Sequence, residues 1–236
     1  MERILDGVKK FRSQIYPQNA AFFESLASKQ QKPIALFITC ADSRVHPNLI
    51  TQTEPGDLFL LRSAGNIVPP HGSVVAGEAA TIEYALEVLN VRNIIICGHS
   101  QCGAIKALIS DRKIDDLPAV GEWFNHAEGT RRIVQQKYAN LSPEEKAVAA
   151  TEQNVLVQLN NLSTHPAVAA GLATGEIHTF GWYYDIGSGR ISQYNPKLRE
   201  FEELGHEALA TNPLPIREKR DGALQFENGA AHSVVG

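Results

Sequence analysis

The chain has 236 residues, 43% hydrophobic and 20% charged, enough apolar material for a sizeable α/β core. Its 22 Lys and Arg against 26 Asp and Glu give a net charge of −4, which leaves no basic field for nucleic acid. Charges at Glu2, Arg3, Asp6, Lys9 and Lys10 leave no room for a secretory apolar core, no apolar run approaches the ~18 residues of a membrane span, and three cysteines are too few for a disulfide framework, so a cytoplasmic protein is expected.

In chain order, Ile4, Val8, Phe11 and Ile15 recur at helical spacing on one face. Pro17 should interrupt that helix, and Ala20 to Ala27 should form a second, carrying Phe22, Phe23 and Leu26. The stripe precedes the first strand, so another subunit is its expected cover. Residues 34–39 read as a strand buried on both faces, and residues 57–62 as another after the turn Glu54-Pro55-Gly56. Ser73 is the expected N-cap of a helix to Leu89, with Ala79, Ile82, Ala85, Leu86 and Leu89 inward. Residues 93–97 form a third buried strand, followed by a helix over Ala104 to Ser110. Strand, helix and strand with short connections imply βαβ units and a parallel sheet.

Residues 118–172 read as several helices broken near Gly129, at Leu141-Ser142-Pro143 and at His165-Pro166; Ser142 caps the start at Pro143. Residues 177–184 and 191–194 flank Gly187-Ser188-Gly189 as a hairpin. With no repeat and no linker, one domain is expected over residues 1–215, including a helical arm at 1–30, with a tail at 216–236.

The first strand ends in Cys40-Ala41-Asp42-Ser43-Arg44 and the third in Cys97-Gly98-His99-Ser100-Gln101-Cys102. In a parallel sheet both emerge at the carboxyl edge, where ligands bind. Two thiolates and an imidazole from Cys40, Cys102 and His99 form a good zinc set, and Cys102 opens a helix whose positive end favours an ionised sulfur. Three protein ligands leave a catalytic position, whereas a fourth from Cys97 would close the site; a small apolar residue ending a buried strand is the plainer reading of Cys97. Asp42 and Arg44 can form a dyad beside the metal, its carboxylate ionised and aimed to accept a proton. Gly98 to Gly103 narrowly misses two other motifs: Cys102 stands where a nucleophile elbow needs glycine, and Ala104 where a phosphate loop needs lysine.

Cys-x-Asp-x-Arg after one strand and His-x-x-Cys after another resemble the β-class carbonic anhydrases, nearest their bacterial and cyanobacterial branch. The likeness continues through Glu54-Pro55-Gly56-Asp57-Leu58-Phe59, Arg62-Ser63-Ala64-Gly65-Asn66-Ile67-Val68-Pro69, Glu83-Tyr84-Ala85 and Gly181-Trp182-Tyr183-Tyr184-Asp185, covering roughly residues 1–200. The resemblance implies one zinc per chain on Cys40, His99 and Cys102, with Asp42 and Arg44 as the catalytic dyad. It implies a substrate pocket of Phe59, Ala64 and Tyr84, with Gln31 reaching in from a neighbouring subunit. The implied fold is α/β, with about four parallel strands, an antiparallel edge strand, flanking helices and an N-terminal helical arm. The implied assembly is a homodimer or homotetramer. The implied activity is reversible hydration of carbon dioxide to bicarbonate by attack of zinc-bound hydroxide, with no nucleic acid or membrane partner. A zinc hydrolase of carbonyl sulfide or carbon disulfide would share these residues, and a non-catalytic protein would carry a closed zinc site. Two loop histidines, His46 and His71, are candidates for proton transfer or ordinary surface residues.

One branch of the family has a bicarbonate pocket that switches the enzyme off, built from a Trp three residues before the first zinc Cys, a Gly one residue before it, an Arg and a Tyr. Here Arg62 and Tyr184 match, but Phe37 and Thr39 stand in the other two positions, so this switch is expected to be weak and Asp42 to stay with Arg44.

Overall fold

The computed structural model describes residues 1–73, 77–110 and 116–205. The chain divides into two compact units, one including Met1–Gln31 and the other spanning Lys32–Asn212. The expected tail at 216–236 lies outside the described residues.

In the N-terminal unit, a helix over Glu2–Lys10 runs through a π-helical turn, Phe11–Ile15, into Tyr16–Gln18. Pro17 therefore does not interrupt it, contrary to the sequence expectation. A π turn just before a proline opens room for its ring where the α ladder would clash. The break falls instead at Asn19, whose φ is −122° and whose Nδ2 donates to Ile15 O at 2.9 Å. The second helix, Ala20–Ser28, returns Phe23 edge-on to Phe11 at 5.5 Å and stacks it on Tyr16 at 5.5 Å. Ile4, Val8 and Phe11 remain exposed.

The second unit is built on a six-stranded sheet in the order β2-β1-β3-β4-β5-β6. β1 (Ala35–Cys40), β2 (Leu58–Ser63), β3 (Asn93–His99) and β4 (His178–Tyr184) are mutually parallel. β5 (Ile191–Asn195) returns antiparallel from β4, as the hairpin reading anticipates, and β6 (Glu200–Glu203) adds a second antiparallel strand beyond the one expected. β1 is buried at all six residues, which explains its unbroken apolar run. Leu36, Ile38, Ile94 and Ile96 face one core with Ile82, Leu86, Val155 and Leu162. Their alternates Phe37, Ile95 and Cys97 face another, with Trp182.

Ser142 caps the long helix Pro143–Ser163 through a reciprocal capping box with Glu145. This helix lies so close to the sheet that a Cβ on Gly98 would come within 2.8 Å of Thr151 Cγ2 and 2.9 Å of Val155 Cγ2. The helix expected from Ser73 is seen over Gly77–Glu83 and continues as a π turn, Tyr84–Val88; residues 74–76, next to the expected cap, lie outside the described residues. No helix among the described residues is long and apolar enough to cross a membrane.

Candidate metal centre

Parallel pairing brings Cys40 and His99, the last residues of β1 and β3, to the same sheet edge. After β3 the chain turns through Gln101, at φ 58°, and Cys102 becomes the N-cap of the helix Gly103–Leu108. Cys40, His99 and Cys102 thereby gather with their ligand atoms all within 4.8 Å of one another. All three are buried, and both cysteines are free thiols with their sulfurs 3.8 Å apart.

His99 Nδ1 lies 2.9 Å from Ser100 O, and a carbonyl only accepts, so Nδ1 carries the proton and Nε2 presents a lone pair. That Nε2 is buried without a hydrogen-bond partner. Ser100 is itself braced: its N–H donates to Tyr184 O, and its Oγ accepts from Ile186 N, both at 2.9 Å. The two thiols ionise as a pair. The hydrogen bond from Cys102 pulls the Cys40 thiol down to about 4, and the same bond, with burial and the neighbouring charge, pushes Cys102 up. A buried orphan imidazole nitrogen beside two sulfurs that resist carrying two charges alone fits a divalent, thiophilic cation, so the donor set suits zinc.

Asp42 stands at the rim. Arg44 grips it in a fork, Nε to Oδ1 at 2.9 Å and Nη2 to Oδ2 at 2.7 Å, and the Arg44 backbone N–H adds a bond to Oδ1 at 3.0 Å. The guanidinium holds this carboxyl well below the usual carboxylate range. Asp42 Oδ2 lies 3.8 Å from His99 Nε2, so the dyad and the ligand cluster are contiguous.

Cys97 does not join the cluster. Its side chain packs with Phe37 and Trp182, its thiol donates to Gly98 O at 3.4 Å, and burial pushes it up to about 12. Ala64 lies one residue from Gly65, whose N–H reaches Cys40 Sγ at 3.4 Å. Phe59 stacks on Tyr84, ring centroids 6.1 Å apart, but it pairs with Leu36, four residues below the Cys40–Ser63 pair. At about 3.3 Å per residue this is roughly 13 Å along the strand, so one chain does not bring Phe59 to its own cluster. Gln31 falls in the N-terminal unit. His46 is an exposed residue ahead of the helix Pro47–Thr51, and His71 meets His165 edge-on at 5.8 Å.

Arg62 braces the dyad loop from beneath, donating to Cys40 O, Asp42 O and Val45 O at 2.7–3.1 Å. Trp123 Nε1 donates to Ala64 O at 2.9 Å, and Asn154 Nδ2 to Gly65 O at 2.8 Å. Sequence reading missed both supports. The available signal was Asn154, Gln158 and Asn161 recurring at four and three beside the apolar Val155 and Leu162.

A family model described as carbonic anhydrase matches residues 35–191. A carbonic anhydrase of Pseudomonas aeruginosa is 46% identical over 86% of this chain and 92% of its own length, and one of Synechocystis is 45% identical over 85% and 73%. Among solved structures, the β-carbonic anhydrase CcaA superposes with a TM-score of 0.84 at 44% identity, covering 86% of this chain and 99% of that one. One of the tetrameric β-carbonic anhydrases of Sordaria macrospora gives 0.73 at 30%, covering 87% and 96%. With a parallel sheet whose carboxyl edge carries a Cys-His-Cys cluster, and with relatives this similar over most of its length, the chain belongs to the carbonic anhydrase family, in its β class.

Proposed function

We propose that the protein hydrates carbon dioxide reversibly to bicarbonate and a proton, with one zinc ion held by Cys40, His99 and Cys102. The observation that carries this reading is the unpartnered, buried His99 Nε2 between two free thiols and 3.8 Å from a carboxylate fixed by Arg44. Zinc in such a site supplies a Lewis acid that makes hydroxide available from water near neutral pH.

Asp42 does the orienting. Its Oδ1 takes two bonds from Arg44, while Oδ2 takes one and turns towards the ligand cluster, so one carboxylate face can accept the proton of the attacking oxygen. Arg44 keeps that carboxylate ionised and gives Asp42 little freedom to act as a fourth ligand, which favours an open catalytic position over a closed structural site. Carbon dioxide is small and apolar and needs only a dry slot. Ala64 supplies one wall, and Phe59, Tyr84 and Gln31 belong to the pocket of a neighbouring subunit, a reading supported by the distance of Phe59 from its own cluster along β2. The exposed stripe of Ile4, Val8 and Phe11 supports residues 1–30 as the arm that holds a homodimer or homotetramer together around a domain ending near residue 215. The free, buried thiols suit the reducing cytoplasm.

Substituting Cys40→Ser, His99→Ala or Cys102→Ser tests the ligand set. Each is expected to lower zinc well below one per chain and to abolish hydration, since a three-ligand site has none to spare. Full zinc occupancy in all three would refute it. Rates measured side by side on carbon dioxide, carbonyl sulfide and carbon disulfide separate this activity from hydrolysis of the sulfur analogues, which would dominate if the alternative held.

A further inference from the structure

Gly65 sits in a short turn after β2 at φ 71°, a left-handed conformation that favours glycine, and an added Cβ would lie 3.3 Å from Ala104 Cβ. The two peptides that flank it are each held from outside the turn. In the Ala64–Gly65 peptide the carbonyl accepts from Trp123 Nε1 at 2.9 Å, and the N–H, which points the opposite way in a trans peptide, donates to Cys40 Sγ at 3.4 Å. In the following peptide the Gly65 carbonyl accepts from Asn154 Nδ2 at 2.8 Å. Asn154 is fully buried, and its own Oδ1 is fixed by Thr130 Oγ1 at 3.1 Å and Gln158 Nε2 at 3.0 Å. Trp123 packs against the cluster that contains Cys40 and Cys102.

We propose that Trp123 and Asn154 are positioning residues for the metal: by clamping the two peptides of Gly65 they aim its N–H at the Cys40 sulfur. A glycine has little torsional preference of its own, so an N–H···S bond made by one needs both neighbouring planes fixed. Such a bond withdraws charge from the thiolate and fixes its lone pairs, the tuning that groups behind a metal ligand supply. The proposal rests on the reading of Cys40 as a zinc ligand.

The test uses the zinc-loaded protein and its cobalt-substituted form, with Trp123→Phe, which keeps an aromatic ring but loses the donor, and Asn154→Leu, which keeps the branched outline of the side chain but loses the donor. Loss of either clamp is expected to speed zinc release to a chelator by about tenfold. It should also move the sulfur-to-cobalt charge-transfer band to lower energy, because a thiolate without its hydrogen bond gives up an electron more easily. Thr130→Val, which removes one support of Asn154, should show a smaller shift in the same direction and serves if Asn154→Leu does not fold. Combining Trp123→Phe with Asn154→Leu should add less than the product of the two, since both act through one N–H. Gln153→Ala is the control. It breaks a bond from the same helix to Tyr138 Oη without touching Gly65, Asn154 or the groups that hold Asn154, so it should leave the band and the release rate in place. Wild-type release rates and an unshifted band in both clamp variants would overturn the proposal, as would an equal shift in Gln153→Ala. A wild-type protein that binds no zinc, or Cys40→Ser with full zinc, would instead overturn the ligand assignment itself.

Discussion

Gly98→Ala adds one methyl group where the long helix lies closest over β3. The new Cβ would lie 2.8 Å from Thr151 Cγ2 and 2.9 Å from Val155 Cγ2, against an optimum of about 3.5–4.0 Å between carbons. Both opposing atoms belong to β-branched side chains on a 21-residue helix, so neither can swing aside as a long side chain would. The helix and strand must part by roughly 0.7 Å or more, at the residue before His99. Overpacking of this kind costs about 1–3 kcal/mol. At about 2–4 °C per kcal/mol for a chain of this size, the melting temperature should fall by roughly 2–12 °C at fixed zinc and protein concentration. Thr151→Ser removes the nearer methyl while keeping the hydroxyl that donates to Ala147 O at 2.9 Å. In the Gly98→Ala background it should therefore recover part of the loss, a favourable coupling in a double-mutant cycle. An unchanged melting temperature in Gly98→Ala, or no recovery with Thr151→Ser, would refute the close-approach argument.

Asp42→Asn should retain zinc but lose activity by about 100-fold or more, because the amide has no charge to pair with Arg44 and its NH2 cannot accept a proton; near wild-type turnover at unchanged zinc content would make the dyad structural only. Deleting residues 1–28 should give an insoluble or unstable protein, since the stripe of Ile4, Val8 and Phe11 is read as intersubunit cover, and a soluble, active chain of unchanged size by light scattering would contradict that. Bicarbonate should not inhibit cooperatively as pH falls: Phe37 is fully buried edge-on to Trp182, Thr39 Oγ1 donates to Cys97 O at 2.9 Å, and Arg62 is engaged by three carbonyls. A steeply cooperative pH–rate curve would show that an anion finds room there after all.

What the sequence made legible was what depends on strand ends. Cys40 and His99 terminate two apolar runs, parallel strands release their chains at one edge, and Cys102 follows by the length of a tight turn. Asp42 and Arg44 are two residues apart, so their pairing is local and needs no fold to find it. The hairpin of β4 and β5 was legible from its glycines, whereas β6, with Glu200, Glu202 and Glu203 along an edge, carries no apolar pattern to betray a strand. Pro17 misled because the break rule assumes an α ladder, and a π turn before the proline suspends that assumption. Trp123 left no sign of its role, and the spacing of Asn154, Gln158 and Asn161 marks a polar stripe on a helix without saying what it holds. Trp123 and Asn154 each act through a backbone atom of Ala64 or Gly65, 59 and 89 residues away in sequence, and a carbonyl leaves no mark in the letters.

The division of labour between Arg44 and Arg62 follows from charge. When both sulfurs of a Cys2His set ionise, their two negative charges cancel those of a divalent ion, so the loaded cluster exerts little net pull on a third anion. The place of Asp42 is then decided by its nearest cation, and Arg44, with a fork and a backbone bond, supplies it. A fork alone would be mobile, because Arg44 is half exposed and exposed pairs are weakly held. Arg62 removes that freedom from the other side: it fixes the carbonyls of Cys40, Asp42 and Val45, and with them the loop that carries Cys40, Asp42 and Arg44. Arg44 Nη2 also donates to Gln101 O, which ties the dyad to the turn between His99 and Cys102. The loop that carries Cys40 and Asp42 and the turn between His99 and Cys102, linked by a bond between residues 57 apart in sequence, are thus joined by the guanidinium that holds Asp42.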